Sequence, residues 1–353
     1  MLKKMNKTTK DNMITYGIVI VAYLVMQSLV MTGNISSLLE GLMVPLCTYV
    51  ILAVSLNLVV GILGELSLGH AGFMCVGAFA SAFFSKCTQD VITAAPIRFF
   101  LALVIGAVTA AIFGILIGIP VLRLKGDYLA IVTLAFGEII KNLVNVLYIG
   151  KDKNGFHFSM KDVLSLNMQP DGKVIVNGPQ GITGTPNDAS FTVGVILVLI
   201  TLFIIIRIVH SRDGRAIMAI RDNRIAAESV GINITKYKLM AFTVSAALAG
   251  LAGVLYAHNL STLTATTNNF GYNMSIMILV FVVLGGIGNL RGSMIAAVVL
   301  TLLPEMLRGL SDYRMLIYAI ILIVMMLFNW SPKAIEWRER HLSWRKNKKK
   351  EVQ

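Results

Sequence analysis

Charged side chains make up only 14% of the 353 residues, against about 25% in an ordinary soluble domain. With 56% hydrophobic residues and a mean hydropathy of +0.76, so uncharged a chain is excluded as a soluble enzyme, a secreted scaffold or a disordered tail. Cysteine is scarce as well. Cys47, Cys75 and Cys87 are an odd count with no C-x-x-C spacing, which argues against a disulfide framework and against a metal site. No phosphate loop ending in G-K-[S/T], no H-E-x-x-H, no G-x-S-x-G and no paired-carboxylate constellation stands out, so neither a catalytic site nor a bound cofactor is expected.

What the chain does have is apolar runs, at residues 14–32, 38–62, 66–85, 97–120, 128–149, 191–209, 239–258, 275–287, 293–308 and 315–331. A span of the roughly 30 Å hydrocarbon core takes about 20 such residues. The expectation is an all-α, polytopic membrane bundle of about ten helices, in which the shorter eighth and ninth runs are tilted, broken or partly re-entrant. The first run is long for a signal peptide and offers no clear cleavage pattern, so it reads as an uncleaved anchor.

The 31 basic residues outnumber the 18 acidic ones, a net charge of +13, and their placement is a topology signal. Cytoplasmic loops gather Lys and Arg. The excess sits in residues 1–13, in 207–238 and in the tail from Lys333, while Lys and Asp balance between Gly150 and Ser190. An even number of crossings with both termini in the cytoplasm puts all the basic segments on one side. The domain plan is then a basic N-terminus at 1–13, a permease domain at 14–331 with an external loop at 150–190 and a cytoplasmic loop at 210–238, and a basic tail at 332–353. No aromatics interleave with the charges as single-strand nucleic-acid binding requires, and no nucleic-acid partner is expected.

Small residues recur every fourth position in two runs: Ala102, Gly106, Ala110, Gly114 and Gly118 in one, Ser245, Ala249, Gly253 and Ala257 beside Ala246 and Gly250 in the other. Such stripes let helix backbones approach closely in lipid. Polar groups inside the apolar runs are costly there and are candidates for function. Asn57, Ser67 and His70 cluster where glycines at 61, 64, 69 and 72 permit broken helices, His70 being either a satisfied interface residue or part of a translocation path. Glu138 has Lys141 one turn on, as a self-neutralising pair or as a group facing a water-filled path. The glycine-rich run Gly285–Ser293 reads as a tight turn between two short helices.

The cytoplasmic stretch from Ser211 to Ile232 is too apolar for a plain linker. Ile217, Ile220, Ile225, Ala227 and Val230 suit the inner side of short amphipathic helices, Asp222 or Asn223 a cap between them, and Gly231 a helix stop. The unit either docks in a groove of a soluble partner or lies on the inner leaflet.

Five segments together resemble the permease subunits of branched-chain amino acid ABC importers, of the M type. They are Leu66-Ser67-Leu68-Gly69-His70-Ala71-Gly72-Phe73, the run from Lys125 to Ile140, Gly178-Pro179-Gln180-Gly181-Ile182-Thr183-Gly184-Thr185-Pro186, the loop from Gly214 to Gly231, and Val283-Leu284-Gly285-Gly286-Ile287-Gly288. The resemblance implies a type II-like importer subunit in the cytoplasmic membrane of a prokaryote. Its implied partners are a second homologous permease, two cytoplasmic ATP-binding subunits that use the ATP, and an extracytoplasmic substrate-binding protein; its implied substrate is leucine, isoleucine or valine. It places the ATPase contact on Gly214, Arg215, Ala216, Arg221, Asn223, Ala226, Ala227, Glu228 and Gly231. The E-A-A-x-x-x-G pattern of other importers is incomplete, since position 225 is Ile and Glu228 follows the two alanines. Permeases for urea or short amides are closely similar, and an ion-coupled carrier is the rival from another class.

Overall fold

The computed structural model describes residues 7–33, 36–124, 126–153 and 155–307, with isolated positions between 313 and 327. Eight of its helical segments are long and apolar enough to cross a membrane. They comprise α1 (Lys7–Met31), α2 (Ser37–Asn57) with a π-helical turn at Leu58–Leu63, α3 (His70–Thr88), α4 (Ala95–Val121), α5 (Asp127–Val146), α6 (Phe191–His210), α9 (Ile234–Ala257) and the pair α10 (Thr267–Phe270) and α11 (Tyr272–Gly285). Two short helices, α7 (Arg212–Asp222) and α8 (Arg224–Ser229), join α6 to α9, and α12 (Leu290–Met306) follows α11.

The first seven apolar runs thus each become a helix. The eighth starts earlier than hydropathy indicates, at Thr267, because the polar turn Thr267–Phe270 is helical and is set off only by the break at Gly271. The ninth is α12, at 17 residues. The tenth run, at 315–331, and the basic tail lie largely or wholly outside the described residues. Helix α1 begins at Lys7, inside the basic N-terminal segment.

The core is the trio α3, α4 and α9, and glycine makes it. A Cβ on Gly77 would stand 2.5 Å from the Gly250 Cα, and one on Gly250 would stand 2.5 Å from the Ala110 Cβ. Gly106 meets Val254, and Gly114 meets Ala246. The two small-residue stripes therefore face each other, as expected of helices that pack by close approach in lipid. Helix α9 also presents Gly253 to the Met74 carbonyl of α3, and Ser245 donates to the Ser55 carbonyl of α2. Helix α1 is peripheral, with Ile20, Val21, Leu24 and Val25 exposed.

One feature departs from an all-helical chain. Between α5 and α6 lies a three-stranded antiparallel sheet of β1 (Tyr148–Asp152), β2 (Gly155–Ser159) and β3 (Lys173–Asn177), ordered β2-β1-β3. Its alternating Phe156-His157-Phe158 and its Val174-Ile175-Val176 run are strand-forming sequences. Two further residues, β4 (Ile182–Thr183), pair with β5 (Thr262–Leu263). This end of the bundle is closed by Arg98, which is buried and donates to Asp188 at 2.8 Å, and by His258, whose Nε2 lies 2.8 Å from the Ser85 hydroxyl. The three cysteines are free, and Cys47 packs beneath Gly194.

Candidate functional site

At the opposite end, four segments converge on the break in α2. The π-helical turn Leu58–Leu63 is fully buried and ends at Gly64, whose φ of +81° is a left-handed conformation suited to glycine. A π turn disturbs the usual carbonyl pairing, and such turns recur at functional sites. Here the Gly61 carbonyl accepts from Arg221 Nη1 of α7 at 3.0 Å. Asn57 Oδ1 accepts from the Gly288 N–H at 2.9 Å, and its Nδ2 donates to the Ser293 hydroxyl at 2.8 Å. Lys238, in the second turn of α9, is paired with Glu65.

Asn57 is therefore a cross-link between α2 and the turn joining α11 to α12. That turn is as tight as its glycines suggest: Gly286 and Gly288 have positive φ, and Asn289 caps α12 by accepting from the Gly292 N–H. Asn57→Ala leaves the Gly288 N–H without its acceptor. A loss of about 1–3 kcal/mol is expected from an orphaned donor, measurable as a lowered thermal midpoint in detergent.

Deeper in the bundle, the segment between Gly64 and His70 is non-helical and packs on α5, with the Leu68 N–H donating to Thr133 at 3.0 Å. Ser67 is buried, and its hydroxyl has no hydrogen-bond partner among the described residues. His70 opens α3 and shares a 2.7 Å hydrogen bond with Ser55 of α2. The next N–H, of Ala71, donates to Ser275 of α11 at 3.2 Å. Glu138 pairs with Lys141 at 2.5 Å and accepts the Tyr272 N–H at 2.7 Å, placing a carboxylate at the positive end of α11. Lys141 also donates to Thr267 of α10 at 3.3 Å. Both breaks, at 64–69 and at Gly271, thus lie beside a set of polar contacts made by Ser55, His70, Glu138 and Ser275, with the unpartnered Ser67 hydroxyl in the first break.

The segment between α6 and α9 is a rigid corner. Gly214 sits where a Cβ would meet the Ile208 carbonyl at 2.1 Å, Ser211 caps α7 by accepting the Gly214 N–H, and Arg215 reaches back to the His210 carbonyl at 3.3 Å. Asn223 is the cap between the short helices, accepting the Ala226 N–H at 3.0 Å. Gly231 ends the unit with φ +84°. Ile217, Ile220 and Ala227 are buried as expected, but Ile225 and Val230 are not, at 80% and 75% exposed. Ile225 stands two positions from the buried Ala227 and so on the opposite side of α8, and Val230 follows the last residue of that helix. Of the nine expected contact residues, Gly214 and Ala227 are buried and Ala216 is half-buried; Arg215, Asn223, Ala226, Glu228 and Gly231 face outward. Arg221 is exposed but has its guanidinium on Gly61 and Asp222.

Sequence reading missed the pairs Arg98–Asp188 and Lys238–Glu65. A lone cation at the edge of an apolar run is the signal for each, since such a group needs a counter-ion.

The family model of branched-chain amino acid transport system permease components matches residues 38–328. The chain belongs to this family. Two relatives are the high-affinity branched-chain amino acid transport system permease proteins of Salmonella typhimurium and Escherichia coli, each 36% identical over 296 residues, which is 81% of this chain and 67% of the relative. The fructose import permease protein of Bifidobacterium longum is 32% identical over 125 residues, 34% of this chain and 36% of that protein. No solved structure matches the permease. As a permease component it is a membrane-embedded transport subunit.

Proposed function

We propose that this permease carries leucine, isoleucine and valine inward across the cytoplasmic membrane of a prokaryote, and that two separate ATP-binding subunits drive it. A second homologous permease completes the pathway, and an extracytoplasmic binding protein delivers substrate to the sheet end. The observation that carries the proposal is the α7–α8 pair: a rigid corner that holds Ile225 and Val230 outward on the end rich in basic residues. Two large aliphatic side chains exposed on a buttressed helix pair fit a groove in a soluble partner.

The path runs beside the non-helical backbone at 64–69 and at Gly271, where polar backbone groups are tolerated at membrane depth. Asn57, His70 and Glu138 each hold protein partners in this conformation, while Ser67 has a hydroxyl to offer. A zwitterionic substrate is served by a polar set whose charges, Glu138 and Lys141, are already paired with each other.

Co-purification tests the proposal. Gentle extraction of the full chain is expected to bring down both an ATPase and a second permease. Ile225→Glu with Val230→Glu is expected to lose the ATPase and keep the second permease. Recovery of the wild-type chain with neither partner would refute the reading.

A further inference from the structure

We propose that Arg221 is the joint through which motion of the α7–α8 pair reaches the gate. This rests on the reading of α7–α8 as the ATPase-docking unit, and it assigns Arg221 a direction opposite to a surface contact. Its guanidinium reaches across 160 positions of sequence to the Gly61 carbonyl, 3.0 Å away. Its aliphatic stem lies over Gly64, where an added Cβ would stand 2.5 Å from Arg221 Cγ. Glycine at 64 thus serves both the left-handed turn and the seat of the arginine.

The seat is a junction. Gly61 is flanked by the Gly288 backbone, which a Cβ at 61 would meet at 2.3 Å, and Gly288 is tied in turn to Asn57. On the other side, Glu65 holds Lys238 of α9. A displacement of α7 applied at Gly61 therefore pulls directly on the π turn, which precedes the non-helical segment leading to Ser67 and His70. The same displacement acts on the turn between α11 and α12 through Asn57. Close-packed backbone contacts of this kind shift together rather than deforming gradually. Arg221 touches this junction through Nη1 alone while Asp222 Oδ1 holds its Nε and Nη2 at 3.1 and 2.9 Å, and a lysine has no planar group to divide its donors in this way.

The experiment uses the whole assembly in proteoliposomes, with labelled leucine uptake and ATP hydrolysis measured on the same preparation. In Arg221→Ala, the leucine delivered per ATP hydrolysed is expected to fall about tenfold, within the usual range of coupling between sites, while the ATPase subunits still co-elute. Arg221→Lys is expected to recover only part of the ratio. Gly64→Ala, which pushes the stem off its seat, is expected to lower the ratio as Arg221→Ala does. Arg123→Ala, an exposed change just past α4 and outside the α7–α8 pair, leaves the ratio as in wild type. An unchanged ratio in Arg221→Ala overturns the joint, and so does loss of the ATPase from that variant, which would make Arg221 a surface contact. If the wild-type assembly shows no ATP-dependent uptake, it is the importer reading that fails.

Discussion

Leucine in place of Gly253 is expected to leave almost no folded protein after extraction, and leucine in place of Gly250 nearly as little. A Cβ at 253 would lie 2.1 Å from the Met74 carbonyl oxygen and 2.9 Å from the Ala78 nitrogen. Both are backbone atoms of α3, so no change of rotamer relieves the contact. At 250 the obstruction is the Ala110 Cβ at 2.5 Å and the Gly106 carbonyl at 2.6 Å, on α4. Ordinary overpacking costs about 1–3 kcal/mol when side chains can give way; here whole helices must move apart, and the cost exceeds that range. Gly17 and Gly41 supply the control, since a Cβ at either has nothing within 4 Å, and leucine there is expected to leave yield unchanged. The fraction eluting as a single species from size exclusion reads the difference. Equal yields from Gly253→Leu and Gly17→Leu would mean that α3 and α9 do not meet as described.

Lys238→Met is expected to be strongly destabilising. The lysine side chain is 4% exposed and its partner Glu65 is 17% exposed, so removing the cation strands a carboxylate away from water at the foot of α2. Breaking a buried pair in this way costs about 3–5 kcal/mol, whereas replacing both partners with uncharged groups is often neutral. Glu65→Gln alone should therefore destabilise as well, and the double variant Lys238→Met with Glu65→Gln should recover most of the loss in thermal midpoint. Additive losses in the double variant would show that the two groups do not interact.

How much of this was legible beforehand depends on the kind of signal. The facing stripes of α4 and α9 could be read because close packing repeats every fourth residue, and Ala102 through Gly118 keep that period. A cap at Asp222 or Asn223 was readable because both side chains suit a helix N-terminus, and the structure uses Asn223. Ile225 and Val230 misled because an apolar residue near a buried one was assigned to the same face, whereas Ile225 is two positions from Ala227, on the other side of α8, and Val230 lies past the helix end. The π turn left no mark: Leu58 to Leu63 is one apolar run, and hydropathy cannot distinguish a π turn from an α turn. Arg221 was expected only as an ATPase contact, and its inward bond was not legible because its acceptor, the Gly61 carbonyl, is backbone and carries no sequence signature. The polar set around His70 was half visible, since Asn57, Ser67 and His70 share a segment, but Ser275 lies far along the chain and only the fold brings it to Ala71.

In the proposed function this permease is a gate without an engine of its own, moved by ATP-binding partners seated on α7–α8. Leucine uptake into proteoliposomes holding the complete assembly tests it most directly, with ATP supplied or withheld and with proton and sodium gradients set or collapsed by ionophores. Uptake is expected to require ATP on the side bearing α7–α8 and to be indifferent to the ionophores. Uptake that proceeds without ATP and stops when an ion gradient is dissipated would contradict it.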